Sequence, residues 1–346
     1  MKEAIVHSAE KVEIIDSPIP TPGPDQVVVR VIASGCNPKD WKVVELFNKH
    51  HNSGDDIAGF VHAVGANVYE FKPGDRVAAF HEIMAPGGSF AEYAVAWQYM
   101  TSHIPDNVSF EEASTIPLAG LTAVVGNYIR LGLPEPWKPA TEKVPFLVYG
   151  AASAVGAFAI KLARLSNIHP IIGVAGRGIP YAESLIDKAK GDVIIDYRNG
   201  NEAVVSGIKD ALKNAGASHI YHAFDAVSDN GSHNDVVAVL APEARVTYVF
   251  PLEHTAPPGF SYPKTYKSAE FSNVADAYGE HRQEGFIYLR WLFRMAMEGK
   301  FAPHPHEVVP GGLAGVSQAL QNLKAGKASA IKYAFKIPDT EGAGQD

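Results

Sequence analysis

The chain predicts an α/β fold, a doubly wound parallel sheet joined to a β-rich segment. Three observations carry this expectation. Apolar runs alternate with helical patterns between about 144 and 272, short β segments broken by turns fill the first 123 residues, and a small-residue turn links the first apolar run to the first helical pattern. At roughly 150 residues per domain, 346 residues suggest about two domains.

In the N-terminal stretch the strand candidates are 27–32, 57–64, 76–80 and 90–95. They are separated by Pro- and Gly-rich turns at 18–24, 72–75 and 86–88, whose backbone angles are fixed or permissive. From 144 to 149 the texture changes. Helical patterns at 155–166, 181–190, 202–214 and 234–240 are interleaved with strand candidates at 170–175, 192–195, 217–224 and 244–250. That alternation calls for parallel strands with right-handed crossovers. A Pro/Gly-rich loop at 255–263 precedes a further strand candidate at 264–271; a helix is expected at 286–298 and a closing strand at 331–337. The polar tail 339–346 is expected to fray.

Hydrophobic residues are 46% and charged residues 20% of the chain, the mixture of a soluble globular protein. A net charge of -8 argues against a nucleic-acid surface. No apolar run of membrane-spanning length is present, and the opening MKEAIVHSAE lacks a secretory pattern. Cys36, the only cysteine, excludes an intrachain disulfide and a Cys-rich metal site, fits a cytoplasmic setting, and reads as a half-buried packing residue.

The strongest chemical signal runs from Leu147 to Gly156, where a strand enters a small-residue turn and then a helix. Gly150, Ser153, Ala154, Val155 and Gly156 would let the backbone approach a pyrophosphate and meet its charge with N–H groups at a helix N-terminus. The strict G-x-G-x-x-G pattern is not met, since Ala152 or Ser153 stands where a middle glycine is usual. A tight strand-to-helix connection is the plainer alternative, but position as the first βα turn of an alternating series favours a Rossmann dinucleotide site. About 20 residues on, no carboxylate appears before Glu183, whereas Arg177 is flanked by glycines. Its planar fork of donors suits a 2′-phosphate, so NADPH is favoured over NADH; a solvated loop arginine is the other reading.

Several stretches resemble the medium-chain dehydrogenase/reductase superfamily. They are Asn37-Pro38-Lys39-Asp40, then Asp56-Ile57-Ala58-Gly59 with Val64-Gly65 and the run Phe71 to Val77, then Gly88 to Tyr93, and finally Gly311-Gly312-Leu313 with Gly326 to Ala330. Within it the chain is most similar to the zinc-free quinone-reductase and trans-acting polyketide enoyl-reductase branch. The resemblance implies a split, GroES-like substrate domain of residues 1–123 and 273–346, a Rossmann NADPH domain of residues 124–272 inserted in it, and a substrate cleft between them. It also implies no zinc. Asn37 takes the place of a ligating cysteine, Asp55-Asp56 replaces a His-Glu pair, and His304-Pro305-His306 reads as a loop pair.

The same resemblance implies site roles. Asn37 to Lys42, including Pro38 and Lys39, would lie beside the nicotinamide, with Lys42 donating to an enolate or carbonyl oxygen or else a plain exposed helix lysine. Thr122 would meet the nicotinamide end or merely start a helix. Tyr197 would lie against the adenosine phosphate, Phe250 near the nicotinamide ribose and Ser329 against the cofactor from the C-terminal segment. The expected activity is NADPH-dependent reduction of an activated C=C bond or quinone, most simply of an enoyl thioester, with an acyl carrier protein as the natural partner in a polyketide setting. The chain would be a monomer or homodimer. A module that binds NADPH without turnover is the alternative. A short-chain dehydrogenase is disfavoured, because no Tyr has a Lys four positions on.

Overall fold

The computed structural model describes residues 1–344. It divides into two compact units, one formed by Met1–Leu121 with Ala275–Asp346 and the other by Thr122–Val274. The chain is α/β, with a parallel sheet in the second unit and a largely antiparallel GroES-like sheet in the first.

The first unit begins with a hairpin of β1 (Lys2–Val6) and β2 (Val12–Asp16). The long strand β3 (Gln26–Gly35) then leads through Cys36 to Pro38 into helix α1 (Lys39–Phe47). Three strands follow, β4 (Asp56–Val64), β5 (Arg76–Phe80) and β6 (Tyr93–Trp97), then the short β7 (Thr101–His103) and two helices, α2 (Phe110–Ala113) and α3 (Pro117–Val124). Val27, Val29, Val31, Ile57, Val77 and Phe90 pack in one core.

The second unit holds six parallel strands: β8 (Phe146–Tyr149), β9 (Ile171–Ala175), β10 (Val193–Asp196), β11 (His222–Asp225), β12 (Arg245–Tyr248) and β13 (Ser268–Phe271). Between them run helices α4 (Ala154–Leu165), α5 (Ile179–Ser184), α6 (Asn201–Asn214) and α7 (Ser232–Val237). Their order, β10-β9-β8-β11-β12-β13, reverses direction at β8, the arrangement that places a dinucleotide at the carboxyl ends of the strands. The buried runs of β8 and β9 are apolar on both faces because helices cover both.

The chain returns to the first unit through α8 (Arg282–Met297), β14 (His306–Val308), α9 (Val316–Lys324) and β15 (Lys332–Lys336), the last pairing with β3. Among the described residues no helix is long and apolar enough to cross a membrane.

Several local expectations differ from the structure. The strand expected at 90–95 lies at Tyr93–Trp97, because Phe90 donates its N–H to Asn52 Oδ1 and Ala91 bridges to Glu3. The helix expected at 181–190 stops at Ser184; Asp192 takes the Asp187 N–H at 2.9 Å and Asp187 caps a separate turn at Ala189. The strand expected at 217–224 begins only at His222, since the Ala217 N–H closes the end of α6 on Leu212 O. The 264–271 candidate starts at Ser268 after a turn in which Tyr266 N–H meets Pro263 O. The tail is docked rather than frayed as far as Gly344, whose N–H meets Glu92 Oε1, while Thr340 Oγ1 accepts from Leu313. Gln345 and Asp346 lie outside the described residues. Cys36 is fully buried, and burial pushes its thiol up. The His-Pro-His run is not a loop pair: His304 is buried and His306 opens β14.

Candidate active site and nucleotide-binding turn

In the second unit, β8 ends at Tyr149 and Gly150 turns the chain with φ of +83°, a left-handed conformation that a side chain resists. Ser153 is the N-cap of α4, accepting the Gly156 N–H at 3.0 Å. Helix geometry leaves the N–H groups of Ala154 and Val155 without an intrahelical carbonyl. A Cβ on Gly156 would lie 2.2 Å from Gly150 O, so glycine there lets helix and turn close on each other. Gly150, Ser153, Ala154, Val155 and Gly156 are thus brought together in one turn at a helix N-terminus, a geometry that fits the pyrophosphate of a nicotinamide dinucleotide.

One strand over, β9 ends at Ala175 beside Asp196 of β10. Gly176 and Tyr197 follow as neighbours, and a Cβ on Gly176 would lie 2.5 Å from the Tyr197 ring. The ring therefore lies over the strand end, half exposed. Arg177 is exposed just beyond it. Phe250 follows β12, with β11 between that strand and β8, so it is not gathered at the turn; its ring lies 6.0 Å from that of His254.

In the first unit the segment after β3 sits in a buried, charged network. Asn37 Nδ2 donates to Asp56 Oδ2 at 2.7 Å, and Lys332 Nζ donates to Asn37 Oδ1 at 2.8 Å and Asp56 Oδ2 at 2.6 Å. Asp56 Oδ1 accepts the Leu118 N–H at 2.7 Å. Beside it, Lys39 pairs with Asp55 and, at 3.0 Å, with Asp40, and donates to Ser53 O. His81 Nδ1 meets Asp55 Oδ1 at 2.8 Å, and Asp40 Oδ2 accepts the Asn37 N–H at 2.7 Å.

Burial pushes the Asp40 carboxyl up to about 7, with Lys39 opposing and Asp55 adding to the rise. For Asp55, burial is outweighed by Lys39 and His81, which hold the carboxyl below its ordinary value. The Lys39 ammonium is pushed up because Asp55 and Asp40 together overcome its own burial. Two carboxylates sharing one ammonium separate in this way, the better-paired one staying ionised.

The Lys39 side chain is engaged inside its own unit by Asp55, Asp40 and Ser53. Thr122 does not start a helix; it lies buried inside α3. Pro38 is exposed just before α1, and Lys42 is half-buried on that helix with its ammonium 5.8 Å from the Trp41 ring centre. Ser329 lies half-buried in the segment entering β15. Sequence reasoning missed Lys332; its signal was a lysine in the apolar run Ile331 to Phe335.

A zinc ion finds no suitable donor set among the described residues of this network. Asp56 Oδ1 is taken by Leu118, Asp56 Oδ2 by Lys332 and one Asn37 N–H, the Asn37 oxygen by Lys332, and Asp55 by Lys39 and His81.

Residues 23–106 match the family model of the alcohol dehydrogenase GroES-like domain. The chain is 43% identical to trans-enoyl reductase fsr4 of Gibberella fujikuroi over 91% of its own length and 92% of the relative's. It is 31% identical to trans-enoyl reductase resD of Aspergillus sclerotiorum, over 97% of this chain and all of the relative. The chain belongs to the trans-enoyl reductase branch of the medium-chain dehydrogenase/reductase superfamily. Among solved structures, CurK enoyl reductase superposes with a TM-score of 0.77 at 18% identity, covering 96% of this chain and 98% of that one. The quinone oxidoreductase of Pseudomonas syringae pv. Tomato DC3000 does so with a TM-score of 0.76 at 23% identity, covering 96% and 99%. At these identities the likeness concerns the fold. The family binds a nicotinamide cofactor.

Proposed function

We propose that this protein is a zinc-independent enoyl reductase that uses NADPH to reduce the C=C bond of an α,β-unsaturated carbonyl compound, an enoyl thioester before a quinone. The observation that carries the reading is 43% identity over 91% of the chain to a trans-enoyl reductase. The nucleotide turn and a buried Asn37 amide in the other unit accord with it.

The nicotinamide cofactor supplies the hydride when bound. Gly150, Gly156 and the N–H groups of Ala154 and Val155, organised by the Ser153 cap, hold the pyrophosphate. Arg177 reads the 2′-phosphate through its planar donors, and the Tyr197 ring covers the adenosine end. By resemblance, Pro38, Thr122, Phe250 and Ser329 line the nicotinamide side. Asn37 and Lys42 donate hydrogen bonds to the substrate carbonyl oxygen as negative charge develops on it, which is where preorganised donors lower the barrier most. Residues 1–123 and 273–346 carry the substrate side and 124–272 the dinucleotide. An acyl carrier protein presenting the thioester is the natural partner. The lone buried thiol suits a cytoplasmic setting, and the protein acts as a monomer or homodimer.

The test is the loss of NADPH near-ultraviolet absorbance on adding an enoyl thioester, with a quinone and an unsaturated aldehyde in parallel. Fastest loss with the thioester is expected. Loss with quinone alone would reassign the acceptor, and binding of NADPH without turnover of any acceptor would make this a non-catalytic module.

A further inference from the structure

Asn37 is held from both sides by groups with opposite hydrogen-bonding capacity. Lys332 can only donate and an ionised Asp56 can only accept. The amide therefore has one allowed orientation, its oxygen on the ammonium and one N–H on the carboxylate, at 2.8 and 2.7 Å. An amide nitrogen carries two hydrogens, so the second N–H of Asn37 remains, and the ammonium on its oxygen draws density away and strengthens it as a donor.

The surroundings are built for this arrangement. The Lys332 and Asp56 side chains are 2% and 0% exposed, and Asp56 is anchored on its other oxygen by the Leu118 N–H. Gly35, at the end of β3, leaves room for the lysine, since a Cβ there would lie 2.9 Å from Lys332 Cε. Burying an ammonium and a carboxylate together is seldom a gain in stability over an apolar pair. Its benefit is better sought in what it orders.

We propose that Lys332 and Asp56 are positioning residues for the reductase reaction, fixing the Asn37 amide in a single orientation so that its remaining N–H is presented to the substrate carbonyl oxygen. The proposal rests on the enoyl-reductase reading. In place of a metal ion, an internal ammonium supplies the positive charge behind the donor.

The experiment compares the full-length wild type, Lys332→Met, and Lys332→Met with Asp56→Asn, reading kcat and KM with an enoyl thioester, the NADPH dissociation constant and Tm. Lys332→Met takes the counter-charge from the buried Asp56 carboxylate and the ammonium from the Asn37 oxygen, so both Tm and kcat fall, kcat by about tenfold or more, while NADPH affinity holds. In the double variant the buried charge is gone and Tm recovers. The amide introduced by Asp56→Asn keeps its oxygen for the Leu118 N–H and offers its NH2 to Asn37, turning the Asn37 amide around, so kcat stays low. Recovery of kcat together with Tm, or an unchanged kcat in Lys332→Met, would overturn the proposal while leaving the enzyme reading intact. A wild type that oxidises no NADPH with any acceptor removes the enzyme reading and the proposal together. If Lys332→Met alone fails to fold, the double variant decides the matter.

Discussion

At the residue scale, the pairing of Lys39 with two carboxylates sets a pH dependence whose direction can be stated. Asp40, pushed up to about 7 from 3.8 by burial, holds its proton in the native state across that window, so its contribution to stability falls as pH rises through it. Asp55, held low, contributes in the opposite sense: stability present above its ordinary value is lost as pH falls. Asp40→Asn is therefore expected to flatten the decline of Tm between pH 4 and 7 relative to wild type, read by thermal unfolding at a series of pH values. An unchanged profile would mean that Asp40 stays ionised beside Lys39. Arg177 gives a second test. Loss of a charge-assisted contact removes about 1.5–3 kcal/mol, so Arg177→Ala should weaken NADPH binding roughly 10- to 100-fold and leave NADH binding nearly unaltered. Equal weakening of both cofactors would remove Arg177 from the 2′-phosphate. Asn37 was legible at this scale from its motif, whereas Lys332 was not, because it lies 295 residues away and only strand pairing brings it near.

At the scale of elements, the strand-turn-helix from β8 to α4 was readable because its requirements are local: small residues, a cap and an apolar helix face. Gly156→Ala tests the close approach. With a Cβ 2.2 Å from Gly150 O the helix must shift, and a loss of about 2–3 kcal/mol in urea unfolding with sharply weaker NADPH binding is expected. Wild-type affinity in that variant would show that the turn tolerates a wider gap. The helix expected at 181–190 failed for a different reason. Asp192, buried just before β10, accepts from Ile171 and Asp187 and pairs with His169, so the Asp187 N–H is diverted from continuing the helix. Asp192→Ala should cost about 3 kcal/mol or more by stranding buried donors, checked by denaturant unfolding. A cost under about 1 kcal/mol would show that water replaces the carboxylate.

At the scale of the whole molecule, the chain leaves one compact unit at Leu121 and returns to it at Ala275. Dinucleotide binding to the native state alone stabilises it by mass action, about 2.7 kcal/mol at a hundredfold excess over the dissociation constant. NADPH is thus expected to raise Tm by a few degrees and NADH at equal concentration by less, in a thermal-shift titration. Equal shifts would place the two cofactors on a par. The alternation of apolar runs and helical patterns by itself determined the parallel sheet, since strands covered on both faces are apolar throughout and helices between them have one apolar stripe. The glycines at 150 and 156 likewise marked the tight strand-to-helix turn, because backbone angles and close approach are properties of a few adjacent residues. Only the tertiary structure decided the ends of the elements and the partners of Asn37, Lys39 and Asp192. Those depend on which buried donor meets which buried acceptor across distant strands, and such pairing leaves no periodic trace in the chain.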